Sequence, residues 1–183
     1  MLIARQKKQE NIAEYILYMW QLEDLMRALE LNPDNIVALM SQFEDEDEEL
    51  LMEIERWYAN MMRAMKSERI QETGHLMEVQ EVIVELYHLH NTLLNLMADA
   101  EYIKLYNAAQ PNLTEFKKRF GKPVSNEVEL CFNALYGLLL LRLQKKEISA
   151  DTEAAMQTIS ALTGFLAARY KQMKSGRLDF TKN

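Results

Sequence analysis

The sequence predicts an all-α protein: a single-domain helical bundle of five or six helices, up-and-down. Three observations lead there. Apolar residues recur at three- and four-residue spacing along most of the 183 residues, which marks one face of an α-helix. Only 5 Gly and 3 Pro are present, too few for the many turns of an all-β fold. The stretch 126–146 contains LCFNALYGLLLL, apolar nearly all round the helical wheel, with Asn133 its one strongly polar interruption. A helix with no wet face belongs inside a protein, so this segment is expected to be the central strut.

The elements follow in chain order. A first helix is expected over about 7–31, with Ile12, Tyr15, Ile16, Met19, Leu22 and Met26 as its stripe. Pro33 ends it, because the residue before a proline avoids the α region, and opens a short helix to about Phe43. The acidic run Glu44–Glu49 then starts a third helix, where negative charge favours the helix dipole; its stripe includes Leu50, Ile54, Tyr58, Met61 and Met65 and runs to about Ile70. Gly74 is the expected stop. A fourth helix begins near His75, with Val79, Ile83, Leu86, Leu93 and Met97, and reaches Ala98 or as far as Ala109. Pro111 is expected to break the chain there, leaving a short helix 113–120 before Gly121 and Pro123. Ser125 is expected to cap the strut, and Ser149 or Asp151 the last helix, about 152–174. Gly176 ends that helix, and 175–183 is expected to be a frayed tail. The short link between the last two helices predicts an antiparallel pair crossing closely at Gly137 and Gly164, because Ser160, Gly164 and Ala168 form a ridge of small residues.

Composition bounds the function. Hydrophobic residues make up 49% and charged residues 27%, which suits one globular domain of 1–183. The net charge of −7 hides a split: residues 1–101 carry 8 Lys+Arg against 21 Asp+Glu, and residues 102–183 carry 13 against 7. Such asymmetry can pair the two halves or orient an oligomer. The single Cys131 has no disulfide partner in the chain and lies in the apolar strut, where a thiol is a small hydrophobe. No signal-peptide pattern opens the chain. The longest apolar run, Ala134–Leu141, is 8 residues, well short of the roughly 20 a membrane span needs. A cytoplasmic protein is expected.

Several motifs are partial. ALELNPDN (28–35) has the look of a tetratricopeptide-repeat end, but Lys8 and Gln9 stand where Leu-Gly is required and no second copy follows. The acidic run lacks the glycine of a calcium loop. Glu85-x-x-His88 and Glu72-x-x-His75 have the spacing of di-iron ligands, but the first lies on a polar face and the second spans Gly74. Lys117, Lys118, Arg119 and Lys122 form the best basic cluster, without a nucleic-acid-binding motif around it. No phosphate loop, Cys/His cluster or nucleophile elbow is present, so no catalytic residue, metal ligand or cofactor is assigned. The methionines sit at stripe positions and read as core filler.

Polar residues within the apolar stripes are the candidate site. Glu23 is centred among Ile16, Met19 and Met26, and His90 among Ile83, Leu86 and Met97. A buried charge must find a partner or neutralise. A Glu23–His90 pair near Asn133 would satisfy both and form the polar floor of a pocket; the commoner alternative is a buried hydrogen-bond network that only holds the fold, or a helix end more exposed than the stripes suggest.

IARQKKQENIAEYILYMWQLEDLMRALEL at the start, with SNEVELCFNALYGLLLLRLQKKEIS later, resembles a Bacteroidetes family known as domain of unknown function 4924. The likeness covers nearly the whole chain. It implies a stand-alone cytoplasmic bacterial protein with no assigned activity, and it carries over no functional residue. Two functions are therefore expected from the residues themselves: a non-enzymatic interaction or oligomeric scaffold protein, with a homo-oligomer or protein partner and neither membrane nor nucleic acid; or a small-ligand or metal-binding bundle built on Glu23, His90 and Asn133.

Overall fold

The structure, a computed structural model, describes residues 2–40 and 47–178. It is a single all-α domain. Among the described residues there are eight α-helices and no strand: α1 (Leu2–Glu10), α2 (Ile12–Ala28), α3 (Pro33–Met40), α4 (Glu48–Ser67), α5 (Met77–Asn91), α6 (Ala100–Phe120), α7 (Glu127–Leu143) and α8 (Ala150–Lys174). A π-helical turn, Thr92–Leu96, extends α5. Five or six helices was therefore an undercount.

The extra helices arise where a polar side chain caps the backbone without any glycine or proline to announce it. Asn11 adopts an extended conformation, and its side chain accepts from the Ala13 and Glu14 amides, which divides α1 from α2. Asp99 does the same for α6, accepting from the Glu101 and Tyr102 amides after Ala98 turns left-handed at φ 47°. The fourth helix therefore ends at the nearer of its two expected ends, about Ala98, and no further break follows at Pro111. Pro111 itself lies inside α6. Proline removes one amide and frees the carbonyl four residues back; both Pro111 and Asn107 are exposed, so water can take that carbonyl. The caps of the last two helices are Asn126, where Ser125 was expected, and Ser149. Asp47, with Glu48 and Glu49 in the first turn, starts α4; the rest of the acidic run lies outside the described residues, as does the end of the short helix expected to reach Phe43. Helix α4 ends at Ser67, before Gly74 is reached.

The core brings together Trp20, Tyr102, Phe132, Met26, Met65 and Leu93, all fully buried. Each such side chain contributes about 1.5–3 kcal/mol by leaving water. Leu178 also packs into this core, so the start of the expected tail is anchored. Helix α7 touches α2, α5, α6 and α8, which makes it central by its neighbours. Its burial, however, stops half-way. Val128, Leu130, Cys131, Phe132 and Ala134 are buried, whereas Leu135 to Leu141 are only half-buried and Leu143 is 63% exposed. The strut leaves the core at its C-terminal half.

The tight Gly137–Gly164 crossing does not form. A β-carbon built on either glycine meets nothing within 4 Å, and Ser160, Gly164 and Ala168 all face outward. Helix α8 instead lies most closely along α6, with the Asn112 amide donating to Thr158 at 2.9 Å. The small residues of α8 are on its outer side because Met156, Ile159, Leu162 and Leu166 take the inner one.

Candidate functional site

The polar residues singled out in the sequence have separate partners. Glu23, on the buried side of α2, accepts from the Leu76 amide at 2.9 Å and sits 2.6 Å from His75 Nδ1. The His75 ring stacks on Trp20, with centroids 4.0 Å apart and planes 13° apart. Arg27, one turn on, donates to the carbonyls of Ile70 and Gly74 and pairs with Asp24 at 2.8 Å. Asp24 in turn accepts from the Tyr136 hydroxyl at 2.5 Å. Together these bonds pin the α4–α5 connection onto α2. Glu23 is a staple for that connection, with both carboxylate oxygens engaged.

His90 occupies a second cluster, formed where α5, α6 and α7 meet. Its Nδ1 is 2.7 Å from the Tyr102 hydroxyl, and its Nε2 is 3.6 Å from a Glu127 oxygen. Tyr106 donates to the same carboxylate at 3.1 Å. His90 thus bridges the two helices beside it, with the Tyr102 hydroxyl at one ring nitrogen and the Glu127 carboxylate facing the other. Hydrogen bonds from His90 and Tyr106 hold the Glu127 carboxyl below the usual range, against the opposing effect of burial. Burial and the nearby Glu127 charge push the Cys131 thiol up to about 12, so it is protonated and unreactive as a nucleophile. Burial, with Cys131 and Glu127 beside it, raises the Tyr102 hydroxyl far above its ordinary value. These groups and Thr163 enclose a cavity of about 10 Å³, the size of one water.

Asn133 joins neither cluster; its amide bonds back to the Glu129 carbonyl of its own helix at 2.9 Å. The expected Glu23–His90 pocket therefore does not exist as one site. Sequence reasoning weighed His75 only as half of a Glu-x-x-His spacing and did not assign Tyr102, Tyr106 or Glu127 to the site. The signal for the two tyrosines was Asp99: read as a cap, it starts α6 at Ala100 and sets Tyr102 and Tyr106 one turn apart, facing back to α5. Among the described residues no group of three or more His, Cys, Asp or Glu is placed to hold a metal ion, and no helix is long and apolar enough to cross a membrane.

The remaining feature is on the surface. The outer half of α7, the first half of α8 and Leu17 of α2 enclose an open groove of about 410 Å³, lined by Leu135, Leu138, Leu139, Met156 and Ser160. Leu139, Leu140 and Leu141 do not join the core cluster of the described residues. Arg142 and Glu153 face each other across one end at 3.8 Å, each at least half exposed. Continuing from Ser160, Gly164 and Ala168 extend the outer stripe of α8.

A comparison with protein families finds that residues 1–177 match Domain of unknown function (DUF4924). The chain belongs to the DUF4924 family. No curated protein matches the DUF4924 chain, and no solved structure does.

Proposed function

We propose that this DUF4924 protein is a non-enzymatic interaction protein whose working form is a homodimer, and that the second copy covers the outer half of α7. One observation carries the reading. A helix apolar on every side is fully buried only as far as Ala134; Leu135 and Leu138 pack partly on the core, and Leu139 to Leu141 do not join it, beside a groove floored by Leu17 and Met156. Helices of that composition are stable when enclosed, and contiguous exposed apolar surface marks an interaction site.

Two further features favour a second copy over an unrelated partner. The face sets a ridge of leucines on α7 beside Ser160 of α8, and exposed Gly164, one turn on, continues that outer stripe as a trough of small residues. Under a two-fold axis the ridge of one copy meets the trough of the other, which is the self-complementarity an isologous interface requires. Arg142 and Glu153 stand at the rim of the same face, so each can pair with its opposite number on the partner and no charge is left alone. The interior chemistry is consistent with a non-catalytic role: Glu23 and His90 both spend their hydrogen bonds within the fold.

Leu139→Glu tests the proposal. It places a charge in the groove without touching the core, and it should give a monomer by light scattering with unchanged helical content. A dimer that persists in this variant would overturn the assignment of the face.

A further inference from the structure

We propose that a second groove, between α4 and the first turn of α5, binds a basic amphipathic helix from a partner protein. The groove holds about 400 Å³ and lies away from the α7–α8 face. Its wall on α4 includes Trp57, its floor is Met19, and Met77 stands on the opposite wall, 62% exposed. Its rim is Glu68 at one end of α4 with Glu78 and Glu81 on α5.

Charge decides the occupant. Among the described residues, none of these three carboxylates forms a salt bridge and no lysine or arginine lines the groove; Lys8 and Lys174 line the adjoining groove on the far side of Glu78 and Glu81. Glu68 accepts from the Met77 amide at 2.7 Å and Glu78 from the Tyr15 hydroxyl at 3.2 Å, which orients both without neutralising them. The half of the chain that builds the groove carries 21 acidic against 8 basic residues. An apolar trough rimmed by carboxylates that form no salt bridge is complementary to a helix with apolar residues on one face and lysines or arginines flanking it. Methionine and tryptophan suit such a helix, because flexible thioethers adapt to varied side chains and an indole offers a broad apolar face.

The probe is a synthetic helical peptide of leucine and lysine, titrated into the full chain by calorimetry. One peptide should bind per chain with micromolar affinity, and a shuffled peptide of equal composition but no apolar face should bind at least about tenfold more weakly. Met77→Ser and Glu81→Lys change exposed side chains and should each weaken binding by at least about tenfold. Equal affinity for both peptides would mean charge attraction alone, and indifference to both substitutions would mean binding outside this groove; either result would overturn the proposal. So would a change in subunit number on Glu81→Lys, which would assign the groove to a second copy of this chain, through its Lys117–Lys122 region. The α7 dimer stands or falls separately, because Leu139→Glu should leave peptide binding unchanged.

Discussion

Glu23 and His75, 52 residues apart, meet at 2.6 Å, and the same carboxylate receives the Leu76 amide. His90, by contrast, bonds to Tyr102. The two histidines therefore belong to independent networks. In a double-mutant cycle, Glu23→Gln with His75→Ala should show coupling of about 1 kcal/mol or more, whereas Glu23→Gln with His90→Leu should be additive within about 0.5 kcal/mol. Glu23→Ala alone should cost about 3 kcal/mol, since it strands a buried amide and a histidine. Urea unfolding measures all of these, and a coupled Glu23–His90 pair would contradict the separation.

Glu127 gives the His90 cluster a pH signature. Its carboxyl is held below the ordinary 4.5, first by His90. A carboxylate depressed by folding contributes stability above its unfolded pKa, and that contribution is lost as the pH falls through its folded pKa. Wild type should exceed Glu127→Gln in stability near neutral pH, and the gap should close below about pH 4. The gap should stay under about 1 kcal/mol, because this side chain is 39% exposed and water screens its interactions. A gap that widens in acid would refute the assignment.

Cys131 should be inert in the folded protein. It is 5% exposed and its thiol is raised to about 12, so a thiol reagent at pH 8 should leave it unmodified until denaturant is added. Labelling at a rate typical of an exposed thiol would mean that α7 and α8 open far more readily than their packing implies.

Gly164 separates the two readings of the small-residue ridge. With nothing within 4 Å of a β-carbon there, Gly164→Leu should not strain the interior of the chain. If the trough receives the partner's leucines, the same change should raise the dimer dissociation constant at least about tenfold. An overpacked, destabilised monomer would restore the tight α7–α8 crossing expected from the sequence.

The helical class and the buried stripes were legible because 3.6-residue periodicity is written directly into Ile12–Met26 and Val79–Met97. The helix ends were less so. Proline and glycine are conspicuous, but Pro111 is tolerated where its freed carbonyl faces water, and the real breaks are made by the capping residues Asn11 and Asp99, which a search for apolar periodicity passes over. Glu23 and His90 were rightly found at buried positions. Their partners were not, because a contact between α2 and the α4–α5 connection depends on how the chain folds back, which periodicity does not encode. The same limit explains α7: its sequence shows that all its faces are apolar, but not that the chain's own helices cover only its first half.

The claim that a second copy covers that second half is tested most directly by sedimentation equilibrium of the wild-type protein across a dilution series at micromolar concentration. The mass should be twice that of the 21.5 kDa chain, dissociating on dilution and falling to one chain in Leu139→Glu. A single-chain mass at every concentration would contradict the account and leave the α7 leucines without the partner argued for here.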